Sequence, residues 1–281
     1  MDYITLKNGV KMPQAGFGVY QIRDYEECVQ SVVDAIEVGY RLIDTAQSYG
    51  NEEAVGEAIR RSGINREELF ITTKVWVAVA GYEKAKASIE LSLQKLGLDY
   101  IDMVLIHQPL NDYYGTYKAM TELYKEGKIR AIGVSNFYPD RLVDLALNVE
   151  EVPHVNQIEV NAFHQQITAQ EYNEKYGVTV QAWAPFAEGR NGMFTNPVLT
   201  EIANKYNKSV AQVILRWLVQ RGICPLSKSV RKERMQENIN IFDFELSQED
   251  METIATLDKQ ESSFFSHYDP AIVEMICGLK R

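Results

Sequence analysis

Cysteine is scarce in this chain of 281 residues. There are three, Cys28, Cys224 and Cys277, an odd number at wide spacing. That argues against a disulfide framework and against a metal site, and it points to reduced thiols in a cytoplasmic protein. Basic charge is also in deficit: 29 Lys and Arg face 39 Asp and Glu, a formal net charge of −10. Such a chain repels nucleic acid and anionic membranes in general, so an anionic ligand needs a local basic patch. No apolar run reaches the ~18 residues of a membrane-spanning helix. The opening residues Met1-Asp2-Tyr3-Ile4-Thr5 lack the basic and apolar regions of a signal peptide. No low-complexity segment or linker interrupts the chain, and no Gly-x-Gly-x-x-Gly follows a strand pattern, which argues against a Rossmann domain.

Hydrophobic residues make up 46% and charged residues 24%, a composition that fits one large core. The chain opens with a hairpin signal, Asn8-Gly9 between two short alternating runs. Buried-type strands then alternate with amphipathic helices. Strands are predicted at 15–18, 41–44, 69–74, 101–106, 129–134, 155–159, 178–183 and 223–226. Asp24 and Glu27 are set as a capping box, with Cys28, Val32 and Ile36 on one face and Gly39 at the end. Asn51 is placed to cap the next helix, and Ser209 with Gln212 forms a second capping box. Helices are also expected near 85–96, 113–126, 139–149 and 168–176. Eight such units in residues 1–281 favour a single α/β domain, a closed (β/α)8 TIM barrel with an N-terminal β-hairpin.

An active site in such a barrel lies at the C-terminal ends of the strands. Polar residues at those ends have no packing reason to be there. Asp44 ends the second strand, Lys74 the third and Trp183 the seventh; His107 follows the fourth; Ser135 and Asn136 follow the fifth; Gln157 and Glu159 lie on the sixth. Tyr49 stands five residues beyond Asp44. Singly, Asp44 and Lys74 read as a structural ion pair, and a lone tyrosine or histidine as a packed side chain. Collected at one mouth they suit general-acid chemistry. A lysine cation lowers the pKa of a neighbouring phenol, an aspartate aims the lysine, and a neutral histidine can hydrogen-bond a carbonyl oxygen.

These residues fall in longer motifs. Gly39-Tyr40-Arg41-Leu42-Ile43-Asp44-Thr45-Ala46, followed by Glu52 and Val55-Gly56, resembles the first signature of the aldo-keto reductases. Arg130 to Phe137 resembles the second, and Lys228-Ser229-Val230 with Arg234, Glu237 and Asn238 resembles the third. The resemblance covers essentially the whole chain and is strongest to prokaryotic-type members related to 2,5-diketogluconate and methylglyoxal reductases. It implies reduction of small aldehydes or ketones, such as keto-sugars and dicarbonyls, by NADPH. It implies Tyr49 as proton donor, Lys74 and Asp44 as its tuning pair, and His107 as the group that orients the carbonyl. Ser135, Asn136 and Gln157 would hold the nicotinamide carboxamide beneath a stacked Trp183. The third signature, Lys228, Ser229, Val230, Arg234, Glu237 and Asn238, would hold the adenosine end. Tyr20 and Trp76 would line the substrate pocket of a monomer or weak dimer. Two positions depart from the pattern. Gln108 replaces the Trp that often follows the catalytic His, which makes the pocket more polar. Ser227 replaces the Pro before Lys228, which loosens the loop.

The basic cluster has a reading of its own. Lys228, Arg231, Lys232 and Arg234 lie within seven residues of an acidic chain. A solvated helix start would explain them, but cations there oppose the helix dipole unless an anion is bound. Two other functions compete with the reductase: a Schiff-base aldolase using Lys74, and a catalytically weak cofactor-binding subunit of the same fold. An ion-paired Lys74 argues against the first, and the intact four-residue set against the second.

Overall fold

The computed structural model describes residues 2–279. Strands β1 (Tyr3–Thr5) and β2 (Lys11–Pro13) pair antiparallel, with Gly9 at φ 85° in the turn where only glycine is unstrained. The hairpin is shorter than its sequence signal, and it acts as a stopper. Leu6 and Met12 pack among Leu42, Phe70, Met103, Leu105, Val155 and Leu226, which fill the barrel interior. Asn8 Nδ2 reaches Arg130 O at 3.0 Å and fastens the hairpin beneath the barrel.

Eight parallel strands close the barrel: β3 (Gly16–Gly18), β4 (Leu42–Asp44), β5 (Phe70–Val75), β6 (Ile101–Ile106), β7 (Ile129–Ser135), β8 (Val155–Glu159), β9 (Thr179–Trp183) and β10 (Cys224–Ser227), which pairs back onto β3. Apart from exposed Arg130 and half-buried Gly18, Thr179 and Trp183, their residues are buried on both faces, as parallel strands covered by helices must be. The helices between them are α1 (Tyr25–Glu37), α2 (Glu52–Ser62), α3 (Tyr82–Leu96), α4 (Tyr113–Lys125), α5 (Pro139–Asn148) and α6 (Ile167–Lys175). Between β9 and β10 come α7 (Pro197–Tyr206) and α8 (Val210–Gln220); α9 (Lys232–Ile239), α10 (Gln248–Ala255) and α11 (Pro270–Gly278) follow β10. The sequence reading omitted α7, α10 and α11. Among the described residues no helix is long and apolar enough to cross a membrane.

The caps hold with two corrections. Ser209 and Gln212 exchange both bonds of a capping box. Asp24 accepts from Glu27 N at 2.8 Å, a one-way cap without the expected return bond. Asn51 stands at the N-cap of α2 but makes no cap bond. Its side chain instead accepts from Thr45 Oγ1 at 2.7 Å and donates to Val19 O at 3.0 Å and Ile22 O at 3.2 Å. A buried brace satisfies both ends of the amide, which a surface cap would not. Gly56 lets α2 and α3 touch: a Cβ there would lie 2.4 Å from Leu96 O.

Candidate active site

Strand ends and the loops after them enclose a cavity of about 790 Å³ at the open end of the barrel. The segment carrying Tyr49 is a single 3₁₀ turn, Gln47–Tyr49, directly after β4. It is fastened from three sides. Gln47 donates to Ser88 Oγ at 3.1 Å and Ser92 Oγ at 3.2 Å, and accepts from Trp76 N at 3.0 Å. Asn51 braces the next residues, and buried Glu52 accepts from Thr73 Oγ1 at 2.7 Å.

Lys74 is wholly buried on β5. Its Nζ donates to Asp44 Oδ1 at 2.5 Å, to Thr45 O at 2.9 Å and to Tyr49 OH at 3.2 Å. An ammonium has three hydrogens, and here each has an acceptor. No lone pair remains for attack on a carbonyl, which opposes an aldolase role. Because lysine can only donate, Tyr49 must turn its own hydrogen away from Lys74. Burial lowers the Lys74 pKa, and the Asp44 carboxylate works against that shift. Burial, then Asp44 and Tyr20, pushes the Tyr49 phenol well above its ordinary value. The expected lowering by Lys74 is therefore outweighed by desolvation, and Tyr49 keeps its proton at neutral pH.

The His107 ring stands edge-on to Tyr49, centroids 5.6 Å apart, and edge-on to Trp76 at 5.2 Å. Ser48 Oγ lies 3.3 Å from His107 Nδ1. On the opposite wall, Gln157 Nε2 donates to Asp44 Oδ2 at 2.9 Å, and Trp183 Nε1 donates to Asn136 Oδ1 at 2.9 Å. Ser135 Oγ donates to Gln157 O at 2.8 Å.

Of the residues singled out in the sequence, Tyr20, Asp44, Tyr49, Trp76, His107, Gln108, Ser135, Asn136, Gln157, Trp183 and Lys228 all line this cavity, with Lys74 beneath it. The rest of the third signature does not. Ser229 and Asn238 are buried, while Val230, Arg234 and Glu237 are exposed on the turn and helix beyond Lys228. Lys232 pairs with Asp34 at 3.3 Å and with Glu37 on α1, so it serves packing there. Gln108 is buried, and His267 Nε2 meets its Oε1 at 2.5 Å.

The sequence reading missed the far wall. Phe264, Phe265, Met275, Ile276 and Leu279 line the cavity from the C-terminal segment. Phe264 and Phe265 lie 5.3 and 6.2 Å from Trp183, and Trp76 Nε1 donates to Leu279 O at 3.0 Å. Glu159 anchors this segment through Ser263 N at 3.0 Å and Ser262 Oγ at 2.5 Å.

Known proteins carry the same arrangement of sequence and fold. Residues 15–259 match the model of the Aldo/keto reductase family. The chain is 50% identical over 264 residues to glyoxal reductase of Bacillus subtilis, covering 92% of this chain and 94% of that one. It is 40% identical to methylglyoxal reductase DkgA of Escherichia coli, covering 91% and 93%. A Bombyx mori aldo-keto reductase solved in complex with NADP superposes with a TM-score of 0.90 at 37% identity, covering 94% of this chain and 95% of that one. With a closed barrel, a buried Lys–Asp pair beneath a tyrosine, and these matches, the chain belongs to the aldo/keto reductase family.

Proposed function

We propose that this chain reduces small aldehydes and ketones, dicarbonyls and keto-sugars among them, to alcohols with NADPH. The observation that carries the reading is the Lys74 ammonium, bonded at once to Asp44 and to the Tyr49 hydroxyl on the cavity floor. The residues present fit a nicotinamide dinucleotide. The cavity lies within the roughly 300–1,000 Å³ range of ligand sites, and its wall offers Ser135, Asn136 and Gln157 beside the Trp183 indole. Lys228 stands as a cation at its edge. The relatives named glyoxal and methylglyoxal reductase and the NADP-bound neighbour support the substrate and cofactor classes. A cytoplasmic location fits Cys28, Cys224 and Cys277, all free thiols.

NADPH, when bound, supplies the hydride to the carbonyl carbon. The chain supplies the proton. As the carbonyl oxygen gains charge, Tyr49 gives it the hydrogen that Lys74 has turned outward. Lys74 then stabilises the phenolate left behind, and Asp44 keeps Lys74 charged despite its burial. In the tautomer in which Ser48 donates to Nδ1, His107 carries a proton on Nε2, a donor for the same oxygen. The test is NADPH oxidation across small aldehydes, ketones, keto-sugars and keto-acids. Turnover that disappears in Tyr49→Phe supports the reading; no turnover of any carbonyl by the wild type refutes it.

A further inference from the structure

Ser135, Gln157 and Gln181 are register partners on β7, β8 and β9. The side-chain hydrogen bonds of Ser135 and Gln157 can be traced one by one. Ser135 Oγ gives its hydrogen to Gln157 O at 2.8 Å and accepts from Asn136 Nδ2 at 3.2 Å. The other Asn136 hydrogen goes to His107 O at 3.0 Å, and Asn136 Oδ1 already accepts from Trp183. Gln157 Nε2 divides its two hydrogens between Asp44 Oδ2 at 2.9 Å and Gln181 Oε1 at 3.1 Å. Gln157 Oε1 accepts no bond among the described residues, although Gln157 lines the cavity. An ionised Asp44 only accepts, so it forces the amide nitrogen of Gln157 inward and the carbonyl outward. One such bond still lets the amide swing about it. A second bond, to Gln181, fixes the amide plane.

We infer that Gln181 is a positioning residue: it locks the Gln157 side chain so that its carbonyl oxygen receives the carboxamide N–H of the nicotinamide ring. Gln181 is wholly buried and does not line the cavity. It is itself held from below, donating to Met12 Sδ at 3.1 Å. The inference rests on the dinucleotide reading above and adds what aims the Gln157 amide.

The test compares NADP+ with its 3-acetylpyridine analogue, in which a methyl group replaces the amide nitrogen. Dissociation constants come from fluorescence titration. Wild type should bind NADP+ roughly tenfold more tightly than the analogue, the worth of one such hydrogen bond. Gln181→Met keeps the side-chain length but lacks a comparable acceptor, and should bring the ratio within about twofold by weakening NADP+ alone. Gln181→Glu keeps an acceptor oxygen in place and should preserve the ratio. A folded Gln181→Met with the wild-type ratio overturns the assignment, as does equal weakening of both dinucleotides, the mark of a merely structural role. A folded Gln181→Glu that loses the ratio overturns it too, and this arm stands if the Met variant does not fold. Wild type that binds both equally shows that no carboxamide N–H is read. Wild type that binds neither refutes the dinucleotide reading itself.

Discussion

His267 Nε2 meets Gln108 Oε1 at 2.5 Å, and this bond joins the segment before α11 to the rim after β6 across 159 residues of chain. An amide oxygen only accepts, so Nε2 carries the imidazole proton, and Nδ1 lies buried without a partner among the described residues. Burial holds the His267 pKa down to about 4. A histidine kept neutral by the fold contributes stability above its unfolded pKa of about 6.5 and loses it as pH falls toward 4. The C-terminal wall should therefore loosen in mild acid before the barrel does. Hydrogen exchange of residues 262–279 at pH 7 and pH 5 checks this. Equal protection at both values refutes the role of His267, and His267→Asn should abolish the difference.

Tyr49→Phe removes the proton donor and leaves the ring contacts with Tyr20 and His107. Turnover should fall by about 10²–10⁴-fold, the usual worth of a general acid, with NADPH binding nearly unchanged. A Phe variant with near-normal kcat would show that another group delivers the proton.

Lys74→Met leaves Asp44 buried beside an uncharged neighbour. Breaking a buried pair by removing one partner costs about 3–5 kcal/mol, so denaturation should begin at lower urea concentration. In the folded fraction, kcat should fall and the alkaline limb of its pH profile should move upward. Without the nearby cation, Tyr49 loses its proton less readily. An unmoved limb in a slow variant would separate Lys74 from the acid.

Arg234→Ala should weaken NADPH binding by about tenfold or more and leave NADH nearly unaffected. The two dinucleotides differ by a 2′-phosphate, and a guanidinium can grip that group with paired hydrogen bonds. Arg234 is exposed on α9, outside the cavity lining. Equal weakening of both cofactors would mean that Arg234 supports its loop and does not read the phosphate.

The barrel was legible because its strands are short apolar runs that end abruptly. The predicted spans 101–106 and 155–159 are β6 and β8 as they stand. Strand ends also revealed the floor of the site, since a lysine or aspartate there has no packing motive. The extra helices were signalled locally: Asn196 before Pro197, Ser247 before Asp250 and Asp269 before Pro270 each cap a helix. An eight-unit pattern has no place for them, so the signals went unused. Asn51 shows a different limit. Its position next to α2 is local information, whereas its partners Val19 and Ile22 belong to another loop. The far wall is of the same kind: Trp76 and Leu279 meet across 203 residues, and no local pattern records that.

The stoppered base of the barrel has a kinetic consequence. With Leu6 and Met12 filling the lower end, the cavity that the described residues line lies at the strand ends, and traffic to its floor enters there. Two reactants that share that entrance must queue. The one seated against Asp44 and Gln157 has to arrive before the other narrows the passage, and it departs only after the other has gone. Steady-state measurements should accordingly show a compulsory order of addition, with the second product competing against the first reactant.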